Sequence, residues 1–352
     1  MPPLTRRYLG RLAAAGAAAS VLPGPARAGE AVPWGIAVDH DVFAGDPAYR
    51  AAVAERAQLV TPMNALKWGL TRYDRERFDF RKAEELVAFA EGLRVPVHGH
   101  TLLWHAHNPS WVDRLFTRAA AEQALDEHIA RTVGHFRGRI ASWDVVNEVV
   151  AHDPRREGRW RASVWQDRLG PEQVAIAFRA AHRADPAARL FLNDYDLEDG
   201  SPRTRARQDA VLAIVERLQR ANVTVHGVGM QAHLHGDRRI GEANLRRFLR
   251  ALQGLGVGVA VTELDVIDRG LPAHPLTRDR MAADVVDRFL GTVFSEATPF
   301  FVATWGLSDR HSWINGTFPR EDGVPVRPLP LDRALAPKPM LRVIRRYTGG
   351  RA

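Results

Sequence analysis

Two glutamates end apolar runs. Glu148 closes Trp143-Asp144-Val145-Val146-Asn147-Glu148, and Glu263 closes Val257–Glu263, with Leu264-Asp265 just beyond. A solvated surface acid has little reason to follow such a run. Around them in sequence stand Asn64, Lys67, His98, His100, Trp104, His105, Asn193, Gln231, His233, Trp305 and Trp313. Hydrolysis of a glycosidic bond needs one carboxyl to protonate the leaving oxygen. It needs a second carboxylate to attack the anomeric carbon or to activate water. Tryptophan faces offer flat platforms for sugar rings, while Asn, Gln, His and Lys serve hydroxyls. His98, His100, His105 and His107 open a second reading, a metal-dependent hydrolase, because zinc sites use His-x-His spacing. Nothing else in the chain supplies the remaining ligands at a recognisable spacing, and there is no cysteine. The expectation is therefore no metal and no other cofactor.

Such groups must be brought together by a scaffold. The strand candidates are Trp34–Val38, Gln58–Thr61, Val95–His100, Ser142–Asn147, Leu190–Asn193, Gly227–Gln231, Val257–Glu263 and Phe300–Trp305. Several are unbroken apolar runs, as strands buried on both faces require. Helical spacing fills the intervals, over Arg81–Gly92, Pro171–Ala184, Arg205–Asn222 and Met281–Ser295. Strand and helix alternating eight times predict one α/β domain, a (β/α)8 TIM barrel. A doubly wound open sheet is the alternative, but no strand is followed by GxGxxG or a phosphate loop. In a barrel, catalytic groups sit at the C-terminal ends of strands, which is where these polar residues fall. Glu148 and Glu263, on the fourth and seventh strands, would face each other across the mouth. Trp143 and Asp144 read equally well as barrel packing and a buried hydrogen bond. Asp194 and Tyr195 are similar, Trp111, Trp160 and Trp165 read as packing, and His152 and Asp153 as loop residues.

At these positions the sequence resembles glycoside hydrolase family 10, the retaining endo-β-1,4-xylanases. The matching segments are Gly99–His105, Trp143–Glu148, Leu192–Glu198, Gly229–His233, Thr262–Asp265, Trp305–Trp313 and Lys338-Pro339. They run in order from about Trp34 to Tyr347. The resemblance implies Glu148 as acid/base and Glu263 as nucleophile, with xylan or a related β-1,4-glycan as substrate. It implies Asn147 on the 2-hydroxyl of the sugar at the cleavage site, and Gln231 beside the acid/base. His233 and Asp265 would orient the nucleophile and keep it ionised. Asn64, Lys67, His100 and Trp104 would contact the glycone, and Trp305 and Trp313 would wall the cleavage subsite. A proton donor must keep a raised pKa beside apolar surroundings and a second carboxylate. A retaining mechanism puts the two carboxyls about 5–5.5 Å apart. The sequence departs from the family pattern at Met63, where a glutamate is usual, and at His107-Asn108, where glutamine and an apolar residue are usual. Both lie on the glycone side, so the expectation is an intact reaction with shifted substrate preference. A glycan-binding barrel without useful turnover is the alternative.

The 352 residues, 45% hydrophobic and 26% charged, are enough for a large core and argue against wholesale disorder. The net charge is +8, and Arg6, Arg7, Arg11 and Arg27 supply four of those charges. No basic block is interleaved with aromatics, so no nucleic-acid partner is expected. Residues 1–28 read as a twin-arginine export signal. Thr5-Arg6-Arg7-Tyr8-Leu9 precedes an Ala-rich stretch from Leu12 to Leu22, and Ala26-Arg27-Ala28 offers a small-x-small cleavage site. The stretch is too short to span a bilayer core of about 30 Å. The expectation is a catalytic domain over 29–352, exported to the periplasm or secreted, monomeric, with no membrane anchor after cleavage.

Overall fold

The structure, a computed structural model, describes residues 31–349. The export-signal reading of residues 1–28 lies outside them. Nine strands follow in order: β1 (Trp34–Val38), β2 (Leu59–Pro62), β3 (His98–Trp104), β4 (Ser142–Asn147), β5 (Arg189–Asp194), β6 (Gly227–Met230), β7 (His233–His235), β8 (Gly258–Ile267) and β9 (Val302–Thr304). All pairings between them are parallel, in the order β2-β1-β9-β8-β6-β5-β4-β3. The ring closes between β2 and β3 through a single bridge, Val60 to Val97, where Val60 N–H donates to the Pro96 carbonyl at 3.0 Å. This is the expected (β/α)8 barrel.

Helices wrap the outside, among them Arg81–Leu93, Arg118–His135, Glu172–Ala184, Pro202–Arg220, Glu242–Gly254 and Pro275–Glu296. Their starts follow from local chemistry. The Thr117 hydroxyl accepts from Ala120 N, the Ser201 hydroxyl accepts from Thr204 N, and Pro202 takes the first helical position, where its missing N–H costs nothing. Among the described residues no helix is long and apolar enough to cross a membrane.

One core lies between strands and helices, and a second lies inside the ring. Leu59, Ala141, Phe191, Ala260, Phe300, Phe301 and Ala303 form the floor of the barrel. Large and small residues alternate between neighbouring strands there. Gly227 pairs with Phe191 there, and on the outer, helix-facing side of the sheet Gly99 pairs with Trp143 in the same way. A Cβ on Gly99 would meet the Trp143 ring at 2.3 Å, and one on Gly227 would meet Phe191 at 2.4 Å. The floor seals the bottom and leaves the C-terminal ends of the strands open as a mouth.

Several boundaries differ from expectation. β3 starts later and runs through Trp104, so Thr101–Trp104 belong to the strand rather than to a loop. β8 runs on to Ile267 and carries Leu264 and Asp265 within it. β9 is only Val302–Thr304, and β7 was not foreseen. β7 adds to β8 beyond β6, pairing His233 with Asp265.

Candidate active site

Irregular pairing shapes the mouth. Registers slip between His100 and Leu103 on β3, between Asp144 and Val146 on β4, and between Val261 and Leu264 on β8. A slipped register re-aims the side chains that follow it. Immediately after β4, Glu148 adopts φ 55°, and its N–H donates to the Asn193 carbonyl at 2.9 Å. This left-handed conformation costs a non-glycine residue about 1–2 kcal/mol. It turns the Glu148 carboxylate into the cleft.

That carboxylate is held from three sides. Trp104 Nε1–H donates to Oε2 at 3.0 Å, while Gln231 Nε2 and Asn147 Nδ2 lie 3.1 and 3.4 Å from Oε1. His105 Nδ1 lies 3.7 Å from Oε2. Burial and the charge of Arg161 push the His105 pKa down to about 4, against the pull of Glu148, so the ring is neutral. A neutral ring leaves Glu148 without a cation on that side.

Glu263 has a different setting. It is 4% exposed, Asn193 Nδ2 donates to Oε1 at 2.7 Å, and His233 Nε2 lies 3.2 Å from Oε2. Behind it, His233 Nδ1 lies 2.8 Å from Asp265 Oδ1, and Trp313 Nε1–H donates to Asp265 Oδ2 at 2.7 Å. Burial alone would raise the Glu263 pKa. The charge of His100 and the hydrogen bond and charge of His233 outweigh it and hold the carboxyl below its ordinary value. Burial likewise disfavours His233 as a cation, but Asp265 and Glu263 carry its pKa well above the usual imidazole value. At neutral pH a His233 imidazolium thus stands against an ionised Glu263.

Asn193 ties the two glutamates together. Its amide also donates to Asn147 Oδ1 at 2.8 Å, and Gln231 Nε2 lies 3.2 Å from the same oxygen. The Thr262 hydroxyl donates to Asn193 Oδ1 at 2.7 Å and fixes which way the amide points.

One wall is built from the loops after β2 and β3. Lys67 is 8% exposed, its Nζ donates to Asn64 Oδ1 at 2.7 Å, and it lies 5.0 Å from the centre of the Trp104 ring. Asn64 is oriented in turn by Asp39 Oδ2 at 2.7 Å. Burial lowers the Lys67 pKa although Glu263, Glu148 and Asp39 pull upward. Met63 is buried against Ala37, Trp305 and Trp313. The His107 ring stacks on Trp104 with centroids 5.1 Å apart and planes 14° apart. Burial, with the charges of Lys67 and His100, lowers its pKa. The usual carboxylate and amide of this wall are thus replaced by a thioether and a neutral imidazole.

The cleft measures about 640 Å³. It brings together Asn64, Lys67, His100, Trp104, Asn147, Glu148, Gln231, His233, Glu263, Trp305 and Trp313. Asp265 stands behind it, in contact with His233. Trp143 and Asp144 are buried, and Asp144 Oδ2 lies 2.9 Å from His100 Nδ1 and 3.1 Å from His98 Nε2. Both take the packing role weighed for them. Trp111 and Trp165 are buried, and Trp160 packs against the core. Asp194 is a buried partner of Arg207. Tyr195 and His152 line the cleft and contact each other at 3.0 Å. The sequence places Asn193 at a strand end among these polar residues but assigns it no role; the structure sets it between the two glutamates. His100, Asp144 and Glu263 have ligand atoms within 4.8 Å of one another. Their hydrogen bonds and charges already account for that arrangement.

Comparison with known proteins places these features in a wider group. The profile of glycosyl hydrolase family 10 matches residues 26–347. Endo-1,4-beta-xylanase 5 of Pyricularia oryzae is 34% identical over 289 residues, covering 81% of this chain and 69% of that protein. Endo-1,4-beta-xylanase B of Thermotoga neapolitana is 32% identical over 273 residues, covering 77% and 75%. The crystal structure of xylanase 10B from Thermotoga petrophila in complex with xylobiose superposes with a TM-score of 0.81 at 30% identity, covering 90% of this chain and 93% of that one.

Proposed function

We infer the reaction from one premise: this chain belongs to glycosyl hydrolase family 10, whose profile spans nearly all of it. It is an endo-1,4-β-xylanase, hydrolysing internal β-1,4-xylosidic bonds of xylan with retention of configuration. The observation that carries the assignment of roles is the contrast between two carboxylates in one cleft. Glu263 is buried, held by Asn193 and His233, and kept ionised. Glu148 is turned into the cleft by its backbone, and among the described residues no Lys or Arg makes an ion pair with its carboxylate.

We assign the first step to Glu263 attacking the anomeric carbon while Glu148 gives its proton to the leaving glycosidic oxygen. A glycosyl ester forms on Glu263 and the aglycone leaves as an alcohol. The ester has no charge, so Glu148 is left as the lone carboxylate of the pair. It takes a proton from water as that water attacks the anomeric carbon, and Glu263 departs as carboxylate. Asn147 is placed to bond the 2-hydroxyl, with its own oxygen fixed by Asn193 and Gln231. Lys67, Asn64, His100 and Trp104 bind the glycone, and Trp305 and Trp313 flank the cleavage subsite. His233 and Asp265 act through Glu263.

Reducing-sugar release from xylan by the protein and by Glu263→Ala tests this directly. The substitution is expected to remove release by several orders of magnitude. Proton NMR of a fresh digest is expected to show the β-anomer first. Inverted product, or undiminished turnover without Glu263, overturns the roles. Residues 1–28 are proposed to direct twin-arginine export to the periplasm or beyond. Amino-terminal sequencing of the exported protein should begin after Ala28. The protein is proposed to act as a monomer, to be checked by sedimentation.

A further inference from the structure

The wall of the cleft opposite Lys67 and Trp104 is cationic. Arg203, Arg238 and Arg269, from the segments after β5, β7 and β8, line the same cleft as Glu148 and Glu263. A second hollow of about 610 Å³ opens beside it, lined by Arg155, Arg203, Arg238, Arg239 and Asp199 among others. It shares Arg203 and Arg238 with the cleft, so the two are continuous.

The charges in this corner do not cancel. Arg203 is braced by Asp196 at 2.5 Å and His152 at 2.9 Å, and Arg155 pairs with Asp153 at 2.8 Å. The one acid in the hollow, Asp199, accepts from Ser201 N at 2.7 Å. Arg238 and Arg239 are exposed. Among the described residues neither makes an ion pair or a side-chain hydrogen bond. Arg269 lies over the Phe318 ring at 5.7 Å, and among the described residues it makes no ion pair. Weakly hydrated guanidinium forks suit a carboxylate, which they can grip with two parallel hydrogen bonds.

Because this basic hollow opens from the cleft, its ligand need not arrive separately. It can hang from the sugar chain lying in the cleft. We propose that Arg238 and Arg239, with Arg203 braced beside them, form a subsite for the carboxylate of a uronic-acid branch on xylan. The branch is carried by a sugar on the side of the scissile bond away from Lys67. The enzyme therefore favours acidic xylan over linear chains. This rests on the xylanase reading and names the substrate class within it.

The test uses a xylo-oligosaccharide bearing one uronic-acid branch and the same compound with its carboxyl reduced to an alcohol. Both are titrated calorimetrically onto the full-length Glu263→Gln variant, which leaves them uncleaved. The carboxylated compound is expected to bind about tenfold more tightly, roughly 1.4 kcal/mol. That margin should shrink as salt rises and screens the charges. In Arg238→Ala/Arg239→Ala the ratio of the two affinities should fall to about one. Equal binding in the parent protein overturns the proposal, and so does a margin that survives the double substitution. Separately, wild-type protein that leaves both linear and uronic-acid-bearing xylan intact but keeps the margin would sink the xylanase reading while supporting the subsite.

Discussion

His233 sits between two carboxylates, and its charge governs the nucleophile. With the cation removed, burial acts on Glu263 with less opposition and its pKa must rise. In His233→Asn the acid limb of the kcat/KM profile is therefore expected to move to higher pH, with turnover near neutrality reduced about tenfold or more. An unmoved limb would show that His233 does not tune Glu263. Linkage follows from the same directions. Glu263, depressed on folding, contributes stability above its unfolded value of about 4.3, and this is lost as pH falls through its folded pKa. His233, raised on folding, contributes stability below about 6.5, and this is lost as pH rises through its folded pKa. Met63 offers a second test. It presents sulfur and methylene to the glycone wall, packed on Trp305 and Trp313. Met63→Glu is expected to lower KM for short xylo-oligosaccharides about threefold or more with little change in kcat, since a carboxylate there can accept from sugar hydroxyls. Unchanged kinetics would dispose of Met63 as a determinant of preference.

At the scale of elements, the eight barrel strands were legible because a parallel sheet buried on both faces writes itself as apolar runs. Glu148, Glu263 and most of their neighbours were legible for the same reason, as polar residues at the ends of such runs. What stayed hidden was hidden physically. His233–His235 is too short and too polar to announce a strand, and it pairs only because β8 overshoots β6. The left-handed turn at Glu148 has no local signal such as glycine. Asn193 works through contacts to residues from two other strands, which no single segment encodes. The glycines facing Trp143 and Phe191 show how tightly elements fit. Gly99→Ala is expected to destabilise the fold by about 1–3 kcal/mol, because the Trp143 ring has no room to retreat. Thermal unfolding should register this as a Tm lower by several degrees. An unchanged Tm would mean the core around Trp143 can repack.

Across the whole molecule, the two ends of the described chain are fastened to each other. Gln58 Oε1 accepts from Trp34 N at 2.8 Å, and Gln58 Nε2 donates to the Gly349 carbonyl at 2.6 Å. Gly349 N–H also donates to the Val32 carbonyl at 2.9 Å. The helix Pro339–Tyr347 is anchored to the helix Pro275–Glu296 through Tyr347, whose hydroxyl donates to Asp287 at 2.8 Å. The place where the ends meet is thus reinforced, and the thin joint lies elsewhere, at the lone bridge between β2 and β3. On one flank of that joint stand Asn64 and Lys67, and on the other His100 and Trp104. Both glutamates belong to strands away from it. Warming should therefore blur the grip on the sugar before it disarms the chemistry. A few degrees below the melting transition, KM for xylo-oligosaccharides is expected to climb while kcat still follows its low-temperature trend, and amide exchange should quicken first at Val60 and Val97. The joint gives this enzyme an order of failure, with recognition yielding ahead of catalysis.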